Sequence, residues 1–159
     1  MIIKRNFIYT PKGKNRPLHI WLPDNYYNSA EHYPVMYFFD GHNLFSDEDA
    51  TYGKSWGMNE FMPRSRKQLI IVAVECNHEG NGRLQEYSPV SFDNATLGKI
   101  KGKGSIMMNW IINTLKPYVD SNYRTLPDRK NTIIAGSSMG GLMSLYAATV
   151  YNHVFQRAA

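Results

Sequence analysis

The residues best suited to chemistry are Gly136-Ser137-Ser138-Met139-Gly140, which match G-x-S-x-G, a nucleophile elbow. The motif needs an apolar strand before it and a helix after it. Thr132 to Ala135 supplies a short β-branched run, and a helical pattern follows Gly140-Gly141-Leu142. The spacing has a steric cause. A serine held in a sharp strained turn needs neighbours without bulk two residues to either side, where strand and helix crowd together. Gly140 and Gly141 also leave the next helix N-terminus open, so its N–H groups and dipole face a developing negative charge. Ser138 is therefore the candidate nucleophile for acyl transfer. The bland alternative is a glycine-rich turn whose serine only caps the helix.

Asp40-Gly41-His42-Asn43-Leu44-Phe45 directly follows the apolar run Val35-Met36-Tyr37-Phe38-Phe39. A loop in this place donates one backbone N–H to an oxyanion hole, and the residue after the nucleophile donates the other. The expected donors are His42 (or Gly41) and Met139. Taken alone, the same residues make an ordinary strand-to-helix loop. The elbow downstream favours the oxyanion reading.

The elements that must position these groups are legible as apolar runs. Ile2 to Tyr9 and Pro17 to Leu22 read as strands. In the second, Leu18, Ile20 and Leu22 alternate with His19 and Trp21, as in a half-buried strand. Val35–Phe39, Leu69–Val74 and Thr132–Ala135 are continuous runs, which implies strands covered on both faces of a parallel sheet. A short helix is predicted around Ser55 to Arg66, interrupted by Pro63. A long loop and then a helix from about Ser105 follow, which Pro117 should kink or end. The fold class is α/β, and residues 1–159 read as one domain without internal repeat or linker.

Composition narrows the function classes. At 43% hydrophobic and 19% charged, the chain is neither disordered nor membrane-spanning. No apolar run approaches the ~18 residues of a membrane span. The N-terminus shows no apolar signal region, which points to a cytoplasmic location. The net charge of +5 is spread along the chain and predicts solvated faces rather than nucleic-acid binding. Cys76 ends an apolar run and reads as a plain buried thiol. Gly98 to Ser105 is not a Walker A sequence and reads as a mobile basic loop. Asp47-Glu48-Asp49 lacks calcium-loop spacing, Asn94-Ala95-Thr96 is a glycosylation triplet without a secretory signal, and the five histidines show no metal-ligand spacing. No cofactor and no metal are expected.

Several motifs in order carry a family resemblance. Tyr33 to Phe45, Ser55-Trp56, Gly82-Arg83 with Glu86-Tyr87-Ser88-Pro89, Leu115 to Asp120, Tyr123 to Pro127 and the elbow resemble an esterase family of α/β-hydrolases. That family includes feruloyl and acetylxylan esterases, S-formylglutathione hydrolases, siderophore esterases and mycolyl transferases. The resemblance implies an α/β-hydrolase fold, a mostly parallel sheet with helices on both faces. It implies a small-molecule ester substrate, Ser138 as nucleophile and His42 and Met139 as oxyanion donors. It also suggests Trp56, Arg83, Glu86 and Tyr87 as substrate-facing, with loop packing as the alternative.

One departure from the family stands out. In α/β-hydrolases the triad runs Ser, then Asp or Glu, then His. Residues after Ser138 contain no Asp or Glu, and their one histidine, His153, falls at the far end of the predicted helix. Histidines 19, 32, 42 and 78 precede the nucleophile and would require a rearranged triad. The chain therefore reads as the N-terminal portion of a hydrolase, truncated after the nucleophile helix and inactive alone. A non-catalytic binding module and an acyltransferase using the same serine are the rival readings. The Thr132–Ala135 strand is expected to expose an open edge, with self-association or a complementing C-terminal segment as the result.

Overall fold

The computed structural model describes residues 1–159, and its framework is one six-stranded sheet. In chain order the elements are β1 (Ile2–Tyr9), β2 (Lys14–Trp21), β3 (Val35–Phe39), α1 (Met58–Ser65), β4 (Ile70–Val74), α2 (Gly82–Glu86), β5 (Phe92–Asn94), β6 (Gly98–Ile100), α3 (Gly104–Trp110), α4 (Lys116–Asn122), β7 (Thr132–Ala135), α5 (Met139–Val150) and β8 (Arg157–Ala158). The order across the main sheet is β1-β2-β4-β3-β7-β8. β1 and β2 are antiparallel, and β2 runs antiparallel to β4. From β4 onward all pairs are parallel, with Phe38 opposite both Ala73 and Ala135. The three continuous apolar runs thus sit side by side in the middle, where both faces are covered.

Alternate residues of these strands face two separate cores. Val35, Tyr37 and Phe39 join the larger cluster with Met107, Trp110, Ile111 and Leu115 of the α3–α4 segment and Met143 and Ala147 of α5. Ile71 and Ala73 join a smaller cluster with Trp21, Leu44, Phe45 and Met62 of α1. Helices therefore cover both faces. No helix is long and apolar enough to cross a membrane.

Five expectations need correction. β2 is not half-buried, because His19 and Trp21 are as buried as Leu18 and Ile20. Its second face lies under the smaller cluster, and His19 bonds Glu75 there. The stretch before α3 is not a structureless loop. It holds α2 and the hairpin β5–β6, whose turn is tied by Asn94 Oδ1 accepting from the N–H groups of Thr96 and Leu97. Gly98 to Ser105 is accordingly pinned, since the N–H of Lys103 donates to Gln85 O and that of Gly104 to Ser88 O. Pro117 does not end the helical run. A π-turn at Ile111–Leu115 precedes it, with Lys116 N–H reaching back five residues to Ile111 O, so the ring enters at the start of a new α-helical stretch.

The last difference concerns the edge. β7 is not open, because β8 pairs Arg157 with Ile133 and Ala158 with Ile134. Ala159 N–H extends the ladder by donating to Ile134 O. The outer side of β8 is the edge instead. On α5, Leu142, Leu145 and Val150 remain exposed.

Candidate active site

Ser138 stands between the end of β7 and the first turn of α5 with φ 56° and ψ −120°. This is a backbone region that L-residues rarely adopt and that costs roughly 1–3 kcal/mol. Gly136 shows why it is tolerated. A Cβ there would lie 2.5 Å from the carbonyl carbon of Gly140, so strand and helix meet backbone to backbone around the serine. Ser138 is exposed and its side chain makes no capping hydrogen bond, so the plain capping alternative does not describe it. Met139 opens α5, where first-turn N–H groups have no partner within the helix.

Asp40 follows β3 in the left-handed region, at φ 58°, and Gly41–Asn43 come next as a single 3₁₀ turn. Gly41 is obligatory here. A Cβ would sit 2.6 Å from the carbonyl of Ala73 on β4. Asn43 N–H closes the turn on Asp40 O, leaving the His42 N–H outside that bond. Two groups from α2 and its end fix the loop. Arg83 donates through Nε and Nη2 to the two Asp40 oxygens at 2.8 and 2.7 Å, and the Asp40 N–H donates to the Tyr87 hydroxyl oxygen at 3.1 Å. The hydrogen bonds from Arg83 to buried Asp40 push the guanidinium above its ordinary pKa.

These elements enclose a cleft of about 520 Å³ that Ser138 shares with His42, Trp56, Arg83, Cys76 and His78. The segment from Asp47 to Trp56 forms part of its rim. Asp47 Oδ1 accepts from both the N–H and the hydroxyl of Ser55, and Thr51 N–H donates to the Asn43 side chain. Trp56 is exposed at the rim, its ring 5.7 Å from that of Phe38.

Glu86 and Tyr87 are not substrate-facing. Both are buried and neither lines the cleft. Glu86 takes a bidentate ion pair from Arg16 of β2, and Tyr87 packs on Phe39 behind the loop after β3. Arg83 does line the cleft, but with two of its donors committed to Asp40. His153 is exposed in the turn beyond the far end of α5, whose 12 residues span about 18 Å at about 1.5 Å per residue.

Two features of the cleft escape sequence inspection. Asp40 after β3 meets Arg83 of α2, and Cys76 with His78, in the loop after β4, comes beside His42. The Cys76 thiol is pushed up to about 12 by burial and then by the charge of Asp40. His42 is held below the ordinary imidazole value by burial and then by His78. The local signal for the second feature is the Cys-x-His spacing one residue after β4.

Comparison with known proteins agrees with this architecture. A family model described as "Putative esterase" matches residues 11–159. The uncharacterized protein YbbA of Bacillus subtilis (strain 168) is 25% identical over 148 residues, covering 91% of this chain and 55% of that protein. Esterase Rv1288 of Mycobacterium tuberculosis (strain ATCC 25618 / H37Rv) is 33% identical over 146 residues, covering 89% of this chain and 28% of that one. An IroE-like serine hydrolase from Shewanella oneidensis superposes with a TM-score of 0.77 at 22% identity, over 99% of this chain and 49% of the other. A ferric enterobactin esterase from Salmonella typhimurium gives 0.69 at 18%, over 99% and 35%. The chain spans about half, or less, of the length of these relatives. At such identities the structural likeness shows the fold, that of the α/β-hydrolase esterases.

Proposed function

We propose, for a chain that belongs to the esterase family of α/β-hydrolases, ester hydrolysis by acyl transfer through Ser138. The observation that carries the reading is Ser138 itself, exposed on the cleft in the strained elbow conformation with no hydrogen bond holding its hydroxyl to the helix. In the proposed reaction Oγ attacks the ester carbonyl carbon while the carbonyl electron pair moves onto oxygen. The N–H groups of His42 and Met139 stabilise that oxyanion, which favours the transition state over the ground state. Collapse expels the alcohol and leaves acyl-Ser138, which water then hydrolyses.

The Oγ proton needs a base, and His153 is too far away to serve. We therefore propose that residues 1–159 are the N-terminal portion of one hydrolase domain and turn over negligibly by themselves. The partial coverage of the relatives supports this reading. A complementing C-terminal segment bearing an acid and a histidine is the proposed partner, seated along β8 and the exposed side chains of α5. Self-association through the same surface is the alternative outcome of an open edge.

The test is turnover of p-nitrophenyl acetate by the chain alone and with such a segment supplied in trans. Activity is expected only in the mixture and is expected to vanish in Ser138→Ala. Restored turnover that survives Ser138→Ala overturns the serine mechanism. Ser138-dependent turnover by the isolated chain at about 1–10³ per second overturns the need for a partner.

A further inference from the structure

Three donor side chains converge on the cleft from two loops that the sheet sets side by side. His42 belongs to the 3₁₀ turn after β3, and Cys76 and His78 belong to the loop after β4, its parallel neighbour. One ligand atom from each lies within 4.8 Å of the other two. Cys76 Sγ is 3.7 Å from Nδ1 of His78, and the two imidazole rings stand edge to face with centroids 4.6 Å apart. Sulfur at about 2.3 Å and nitrogen at about 2.0–2.1 Å on a tetrahedral zinc ion are roughly 3.6 Å apart. The sulfur–nitrogen spacing already fits.

The outer nitrogens of both rings are held. His42 Nε2 shares a hydrogen bond with Thr51 Oγ1 at 3.0 Å, and His78 Nε2 shares one with Glu75 Oε2 at 3.2 Å. Oxygen partners of this kind fix the ring orientation and raise the basicity of the opposite nitrogen in metal sites. His42 Nδ1 is the telling atom. It is buried with no hydrogen-bond partner, on a residue only 6% exposed. A buried polar atom left unpaired is costly and calls for a partner.

We propose that His42, Cys76 and His78 form a three-ligand site for a thiophilic divalent cation, Zn²⁺ foremost. The thiol and two imidazoles are the donor set that Zn²⁺ prefers, whereas Mg²⁺ and Ca²⁺ take oxygen. On binding, the cation takes the Cys76 sulfur as thiolate and its proton passes to solvent, while each imidazole contributes a neutral nitrogen lone pair. Three protein ligands leave a fourth position in the cleft that Ser138 also lines. The site stands apart from the ester reading, because metal binding is read without turnover.

The experiment titrates the whole 159-residue chain with Co²⁺ and then with Zn²⁺, following absorption. One Co²⁺ per chain is expected, with a thiolate-to-metal charge-transfer band that Zn²⁺ abolishes. Cys76→Ser is expected to lose that band. His78→Ala, at a solvent-exposed position where truncation leaves the fold intact, is expected to weaken Zn²⁺ binding at least tenfold. His153→Ala is expected to bind like the parent. A charge-transfer band that persists in Cys76→Ser overturns the site. So does equal Zn²⁺ affinity in His78→Ala and the parent, or the absence of any stoichiometric binding.

Discussion

Two arginine–carboxylate pairs anchor the same five-residue helix, α2, and they do different work. Glu86 faces the sheet and accepts both guanidinium nitrogens of Arg16 at 2.7 and 2.9 Å, with the side chains 4% and 1% exposed. Arg83 turns the other way, toward the cleft, and grips Asp40 with its own side chain one-third exposed. The chemistry is the same fork on a carboxylate. What differs is the alternative open to each charge. Glu86 without Arg16 would be a charge sealed from water, so that pair clamps α2 to β2. Asp40 without Arg83 would still have the cleft within reach, so this second pair chiefly sets the direction of the loop after β3.

The largest expected effect is that of Arg16→Ala, which strands the Glu86 carboxylate. Denaturant melts should show a loss of about 3–5 kcal/mol. A loss under about 1 kcal/mol would erase the distinction between the pairs. Arg83→Ala should cost less, about 2–3 kcal/mol, because water can reach the vacated end. Arg83→Lys should recover only part of it, since an ammonium cannot make the two parallel bonds. Full recovery would mean that charge alone orients Asp40. Tyr87→Phe removes the acceptor of the Asp40 N–H and should cost about 1–2 kcal/mol without altering the ion pair. An unchanged melt would show that the loop holds its course on the Arg83 contact alone.

Asp47 extends the comparison to an exposed carboxylate at the surface. Its pKa falls to about 2, chiefly through the Ser55 N–H, then the Ser55 hydroxyl and Lys54. A depressed carboxyl pKa stabilises the fold above its ordinary value of about 3.9 and loses that contribution as pH falls through about 2. An NMR titration of the Asp47 carboxyl should therefore show a midpoint well below the ordinary one. A midpoint near 3.9 would mean that the Ser55 contacts do not persist in solution. The effect on stability should be the smallest of the four.

The contrast between the two pairs also marks what a sequence can disclose. Val35–Phe39, Leu69–Val74 and Thr132–Ala135 announce themselves, because burial on both faces selects uninterrupted apolar runs. The elbow is legible for a similar local reason, since its glycines answer a crowding between adjacent segments. Glu86 and Arg83 lie three residues apart in one motif, and nothing local says that one faces Arg16 and the other Asp40. Family resemblance groups them as cleft residues, whereas the fold separates them. His19 and Trp21 mislead in the same way. A polar residue in an alternating strand suggests solvent, yet Glu75, brought in by β4, supplies the partner that lets His19 be buried. The meeting of His42 with Cys76 and His78 likewise depends on strand order.

The place of β3 between β4 and β7 has a consequence in time. At about 5–20 residues per second of synthesis, Phe38 waits roughly 2–7 s for Ala73 and roughly 5–20 s for Ala135. During that wait a nascent chain can pair β3 with β4 on one side while the other side presents unsatisfied amides and carbonyls flanked by Tyr37 and Phe39. Such an edge invites a neighbouring chain on the same message to pair with it. Of the two neighbours of β3, the serine-bearing strand should arrive last, and crowded polysomes should be where the yield is lost.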